Sequence, residues 1–227
     1  MLVLDAGNAL WSQQPLARDT NGKVLIDAMN LLRYDAMAIG DLDLQLGPEI
    51  LQQRIAEAKF PVLSANVMLA SEGKLLAKPY VLLDVGGRKV GIIGLTWDGA
   101  APSGQLSLLK ADEVLPKYVA ELSAQTNIII LLSNMGLEED QRLSSLLPGI
   151  DLIVGGRSRM PMPEGWRNPE TGTIVVQAGS QGEWIGRRQY SLDGTGVATT
   201  TAEELALLTE DFPDDPEMRA FLDNYRP

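Results

Sequence analysis

The sequence predicts an α/β fold, and three features of its 227 residues lead to that expectation. Short apolar runs alternate with segments of helical spacing, an arrangement typical of sheets that are covered by helices. Two runs, Ile128–Ser133 and Ile150–Val154, are almost wholly apolar, which indicates strands buried on both faces. Tyr80–Val85 and Lys89–Leu95 flank the pair Gly86-Gly87, and this pattern predicts a β-hairpin because glycine readily adopts positive φ.

The other elements follow from the same periodicities. Further strands are predicted at Leu2–Asp5, Asp35–Ile39, Pro61–Val67, Thr173–Ala178 and Trp184–Leu192. Helices are predicted at Val24–Leu32, Pro48–Ala58, Ala111–Ala124, Leu137–Leu147 and Pro216–Asn224. We expect residues 1–205 to form one domain whose first strand is missing from this sequence, because a buried strand pattern begins at Leu2. Residues 206–227 are expected to form an acidic linker and a short helix that lead to a second domain.

The composition excludes several kinds of site and partner. A net charge of −11 argues against nucleic acids and anionic membranes, which are bound through an excess of Lys and Arg. No apolar run is long enough for membrane insertion. The chain has no cysteine, which rules out thiolate nucleophiles and zinc–cysteine sites, and no histidine, the usual general base near neutral pH. Any metal would therefore need oxygen ligands, which favours Mg, Mn or Ca.

Polar or glycine-rich residues follow four of the predicted strands. The four segments are Asp5–Asn8, Gly40–Asp43, Ser133–Gly136 and Gly155–Arg159. Sites in open α/β sheets form at the carboxyl ends of strands, so we expect these segments to converge. Asp41 and Asp43 are two residues apart and would share one side of an extended segment.

Several segments resemble the N-terminal domain of the 5'-nucleotidase family of calcineurin-like metallophosphoesterases. The matching segments are Leu4–Asn8, Tyr34–Gly40, Phe60–Val67, Lys89–Thr96 and Pro148–Gly156. The resemblance implies a four-layer α/β/β/α sandwich in which two mixed β-sheets are flanked by helices. It also implies a C-terminal second domain and, because members of the family are commonly exported, an extracytoplasmic location.

The resemblance further implies a site for two metal ions, which such enzymes hold with His, Asp and Asn and use to activate water. In this chain Asn8 stands where the family has its bridging Asp, so the full negative charge between the metals is lost. Asp41 stands at the metal-binding Asn, and Leu42 stands at the His that resembles the leaving-group acid.

The remaining metal-binding positions are also changed. Asn134 replaces the His of the S-H-x-G motif, and Arg157 and Arg159 replace both His of G-H-S-H. Two guanidinium groups would repel divalent cations, by about 4 kcal/mol per pair of unit charges at an effective dielectric constant near 20. The sequence therefore predicts a degenerate domain with no catalytic residue, no metal and no cofactor, acting as a binding or structural module.

Two alternatives remain open for the site and its function. Arg157 and Arg159 either fill vacated space and pair with Asp41 or Asp43, or bind a phosphate-containing small molecule, sulfate or carboxylate together with Asn8, Asp41 and Asn134. The competing function is a metal-dependent hydrolase of nucleotides or other phosphoesters, with an altered site that holds a single Mg, Mn or Ca ion near Asp41.

Overall fold

The computed structural model describes residues 1–100, 102, 104–192 and 198–225. The strands are β1 (Leu4–Asp5), β2 (Ala36–Ala38), β3 (Val62–Leu63), β4 (Val67–Leu69), β5 (Lys74–Leu75), β6 (Tyr80–Val85), β7 (Arg88–Thr96), β8 (Leu106–Leu108), β9 (Ile128–Asn134), β10 (Leu152–Gly155), β11 (Trp166–Arg167), β12 (Ile174–Gln177), β13 (Trp184–Leu192) and β14 (Ala198–Leu207). The helices are α1 (Pro15–Asp19), α2 (Lys23–Leu31), α3 (Gly47–Glu57), α4 (Ala111–Ser123), α5 (Leu137–Leu146) and α6 (Pro216–Asp223), with a 3₁₀ turn at Asp43–Leu46.

The predicted α/β fold with sheets flanked by helices is confirmed. One sheet has the parallel order β1-β2-β3. The second is mixed, in the order β11-β12-β10-β9-β7-β6, with parallel pairing among β7, β9, β10 and β12. Smaller antiparallel sheets are formed by β5-β4-β8 and by β13-β14.

Three apolar clusters separate the layers. Between the two main sheets, Ala36, Ala38 and Leu63 pack against residues of β7 and β9 such as Ile92 and Leu132. Helices α2 and α3 cover the outer face of the sheet β1-β2-β3, and helices α4 and α5 cover the outer face of the mixed sheet. The parallel strands of each main sheet run in the same direction, so their carboxyl ends lie along one edge of that sheet. The candidate site lies at this edge.

The predicted strand Pro61–Val67 is wrong as a single element. The chain leaves the first sheet after β3 and joins a different sheet at β4, so Ser64, Ala65 and Asn66 form the crossing. Asn66 fixes this crossing, because its buried amide donates to the Thr96 and Leu109 carbonyls and accepts from the Thr96 N–H. Asn66 is thus fully used as a structural hydrogen-bonding residue.

The segment after residue 192 contains more structure than the sequence indicates. Strand β14 has no counterpart among the predicted elements, and it pairs with β13 as far as Leu207. The predicted helix in this region is present as α6, and the Tyr225 hydroxyl after it donates to Asp27 of α2. The domain boundary after residue 205 stays a prediction. Within the part of the chain that is described, no helix combines the length and the apolar character needed to cross a membrane.

Candidate functional site

The four polar segments predicted to converge do meet at one edge of the sandwich. The main-chain N–H of Asp41 donates to Oδ1 of Asn134 at 2.9 Å, which joins the ends of β2 and β9. The Asn134 amide donates to the Ala6 carbonyl beyond β1 at 3.3 Å. The Gly156 N–H donates to the Ser133 carbonyl at 2.8 Å, so the loop after β10 is fixed to the end of β9.

Asp43 anchors the loop that follows β1. Its buried carboxylate accepts hydrogen bonds from four main-chain N–H groups, those of Asn8, Leu10, Trp11 and Gly40. Burial raises the pKa of Asp43, and the four N–H donors oppose that rise. Both carboxylate oxygens are already used, so Asp43 has a structural role.

The expectation that Asp41 and Asp43 share one side of an extended segment is wrong. The intervening Leu42 has helical dihedral angles, φ −72° and ψ −33°, because a 3₁₀ turn begins at the next residue. Asp43 is consequently held by main-chain donors, whereas Asp41 faces the side chains of Asn8 and Arg157.

Asn8 lies in the left-handed region at φ 65°, and its side chain bonds to the adjacent residues Asp41 and Leu42. Its Nδ2 donates to Oδ1 of Asp41 at 3.0 Å, and its Oδ1 accepts the Leu42 N–H at 2.8 Å. A Cβ atom on Gly40 would overlap the Asn8 side chain, so only glycine allows this close approach. The Asn8 amide therefore supplies one donor and one acceptor within the site, without a charge.

Arg157 is the cation that faces Asp41. Its Nε lies 3.5 Å from Oδ2 of Asp41, with 32% of the Arg157 side chain and 16% of the Asp41 side chain exposed. The guanidinium carbon is 3.5 Å from the centroid of the Trp97 ring, a stacked cation–π contact. Of the two partners expected for the arginines, Arg157 therefore pairs with Asp41 and not with Asp43.

Arg159 is the predicted site residue that these contacts do not join to the others. It is exposed, and among the described residues no hydrogen bond or ion pair to its side chain is present. Like Arg157, it has a left-handed backbone, with φ 57° against 64°. Non-glycine residues adopt this region at a cost, and such residues concentrate at functional sites.

Three residues with an unexpected environment lie at or behind the site. The sequence gives no local signal for the role of Trp97, because its cation–π partner Arg157 lies 60 residues away. Burial raises the pKa of Asp5 to about 6, although the Gly7 N–H donates to it. Burial raises the pKa of Asp140 to about 8, and the Ser133 hydroxyl donates to this carboxyl.

The residues present do not fit the two-metal site that the family resemblance implies. Among the described residues, no group of three or more His, Cys, Asp or Glu side chains lies together as a metal site would require. The Asn134 oxygen accepts the Asp41 N–H, and Asp41 already faces a guanidinium and an amide donor. A dication would have to displace these donors and would meet the charge of Arg157.

Comparisons with known proteins agree with the fold and identify its relatives. No family model matches the chain. The 5'-nucleotidase precursor of Thermus thermophilus superimposes with a TM-score of 0.91 and 33% identity over 99% of this chain and 48% of its own. The chain is a homologue of the N-terminal, calcineurin-like metallophosphoesterase domain of 5'-nucleotidases.

Two curated relatives place the chain in the same family of 5'-nucleotidase-type phosphoesterases. The trifunctional nucleotide phosphoesterase protein YfkN of Bacillus subtilis is 30% identical over 99% of this chain and 18% of its own length. Human 5'-nucleotidase is also 30% identical, over 100% of this chain and 44% of its own length. The chain thus spans less than half of these 5'-nucleotidase relatives.

Proposed function

We propose that this chain is a non-hydrolytic 5'-nucleotidase-type domain that binds phosphate or a similar oxyanion without a metal ion. The observation that supports it most directly is the pair of Arg157 and Asp41, in which a guanidinium neutralises the carboxylate at the centre of the site. Because Arg157 places a fixed positive charge next to Asp41, the pair has no net negative charge that would attract a metal ion.

The guanidinium of Arg157 retains free donors for a ligand. Its buried Nε lies 3.5 Å from Oδ2 of Asp41 without forming a hydrogen bond, and no hydrogen bond joins its terminal nitrogens to a described residue. The exposed Arg159 lies two residues further along the same loop. Arginine forks bind phosphate, sulfate and carboxylate through two parallel N–H···O bonds, so this loop presents the chemistry of an oxyanion site.

Calorimetric titration with inorganic phosphate and sulfate tests the binding. We expect millimolar or tighter affinity for the wild-type chain, and at least a tenfold loss in R159A and in R157A. R187A is the matched control, because Arg187 is an exposed arginine on β13 and lies outside the segment Gly155–Arg159. Absence of phosphate binding, or equal weakening by R187A, would reject the anion site.

A second function, metal-dependent hydrolysis of nucleotides or other phosphoesters, is favoured by the relatives rather than by the site. Relatives named as phosphoesterases and nucleotidases are 30% identical over nearly the whole chain. Phosphatase assays with Mn, Mg and Ca separate the two proposals. Turnover that needs one of these ions and disappears in D41A would establish the hydrolase and exclude the non-hydrolytic domain.

We also propose that the full protein acts outside the cytoplasm and contains a second domain after this one. The solved relative from Thermus thermophilus is called a precursor, and this chain covers 48% of it. Cell fractionation with an antibody against this chain tests the location, and the mass of the detected protein tests the additional domain. A cytoplasmic protein of 24.6 kDa would contradict both.

A further inference from the structure

The indole of Trp97 lies between an arginine and a glycine. On one side, the guanidinium carbon of Arg157 is 3.5 Å from the ring centroid. On another, a Cβ atom built on Gly99 would lie only 2.5 Å from Cζ2 and 2.7 Å from Cε2 of the indole. The backbone of Gly99 therefore packs against the ring more closely than any residue with a side chain allows.

This packing restricts the orientation of Arg157. A guanidinium that lies over an aromatic face keeps its plane along that face, and Nε of Arg157 is buried 3.5 Å from Oδ2 of Asp41 without a hydrogen bond. Because Nε is buried, the donors available to a ligand are the two terminal nitrogens. An oxyanion would then bind end-on, with two oxygens on that edge of the fork.

We propose that Gly99 is a positioning residue, which lets Trp97 hold the Arg157 guanidinium in the orientation that accepts the terminal oxyanion of a ligand. The ligand part of this inference rests on the proposed function, whereas the packing part does not. Phosphate monoesters, sulfates and carboxylates share the chemistry required. Arg157 would select only the terminal oxyanion group of such a ligand.

A purely conformational need for glycine does not account for Gly99. Its φ lies outside the left-handed region, so alanine is compatible with the backbone, and the indole is the obstacle. Gly104 lies in the same connection between β7 and β8, its φ is also outside that region, and a Cβ there meets nothing within 4 Å. The variants G99A and G104A therefore add the same methyl group, but only the methyl group at position 99 meets Trp97.

The test uses the whole chain labelled with 5-fluorotryptophan. The sequence has four tryptophans, and the ¹⁹F resonance of Trp97 is assigned as the one that is lost in W97F. We expect G99A to shift this resonance and G104A to leave it unchanged. Phosphate affinity measured by calorimetry should fall about threefold to tenfold in G99A and should not change in G104A.

The outcomes separate this inference from the proposed function. An unshifted Trp97 resonance in G99A, or a shifted resonance with unchanged phosphate affinity, would overturn the positioning role. If the wild-type chain binds no phosphate, the proposed function fails. A shift of Trp97 in both G99A and R157Q would then still support the packing of Gly99, Trp97 and Arg157.

Discussion

The side-chain amide of Asn8 donates a hydrogen bond to Oδ1 of Asp41 at 3.0 Å, so the two side chains meet with only one negative charge between them. The same amide accepts the Leu42 N–H, and Arg157 faces the other oxygen of Asp41. A carboxylate at position 8 would remove the donor and place a second negative charge against the first.

N8D should therefore destabilise the chain by about 1–3 kcal/mol, since two carboxylates at hydrogen-bonding distance must share a proton or a cation. Mg, Mn or Ca should recover more stability in N8D than in the wild type. Urea unfolding with and without each ion provides the measurement. N127D, at an exposed asparagine, adds the same charge elsewhere. An equal response of N127D to metal would contradict a local effect.

Arg157 should contribute to binding more than to folding. Its ion pair with Asp41 is partly exposed, so R157A should cost roughly 0.5–1.5 kcal/mol from the lost pair and the lost stack on Trp97. R157K keeps the charge without the planar fork, and should retain most of the stability while binding phosphate at least several-fold more weakly. Denaturant unfolding and calorimetry on the same samples compare the two effects. Full phosphate affinity in R157K would show that charge alone matters.

R159G should stabilise the fold while weakening the binding of anions. Arg159 has φ 57° and is exposed, and glycine relieves a left-handed conformation with a net gain of about 0.5–1 kcal/mol. R33G is the matched control, because Arg33 also has φ 57° and is exposed. Both variants should melt at higher temperature, and only R159G should lose phosphate affinity. Equal loss in both variants would mean that Arg159 acts through net charge.

The buried carboxyl of Asp140 should make the stability of the chain depend on pH. Its pKa is raised from 3.8 to about 8 in the folded chain because it is buried, so between those pH values the unfolded state binds fewer protons than the folded state. Stability should therefore fall as pH rises from about 4 to about 8.

D140N removes the titration of Asp140 and should flatten the dependence of stability on pH. The flattening should be clearest above pH 6, because the pKa of Asp5 is raised to about 6 and Asp5 still makes stability depend on pH below that value. Urea unfolding at half-unit pH steps from about 4 to about 9 gives both curves. D112N serves as control, since a side-chain bond to Arg142 lowers the pKa of Asp112 and its effect lies at lower pH. An unchanged slope in D140N would show that Asp140 is ionised in the folded chain.

Several long periodic elements were predictable from the sequence, whereas the short strands β5, β8 and β11 and the long strand β14 were not. The hairpin of β6 and β7, the buried strand β9 and the helix α4 lie within one or two residues of their predicted ranges. Strands β5, β8 and β11 could not be predicted because two or three residues carry no periodicity. The division of Pro61–Val67 into β3 and β4 depends on the hydrogen bonds of Asn66 to Thr96, which lies 30 residues away.

The amino-acid sequence by itself determined the α/β class, the family resemblance and the identity of the residues at each strand end, because these depend on local patterns and residue types. Only the tertiary structure decided which groups meet. Asp43 is bound by main-chain N–H groups, Arg157 faces Asp41 and stacks on Trp97, and Arg159 stays exposed. Such contacts depend on the distances and angles between strand ends far apart in the chain, and the periodicity of a sequence does not contain them.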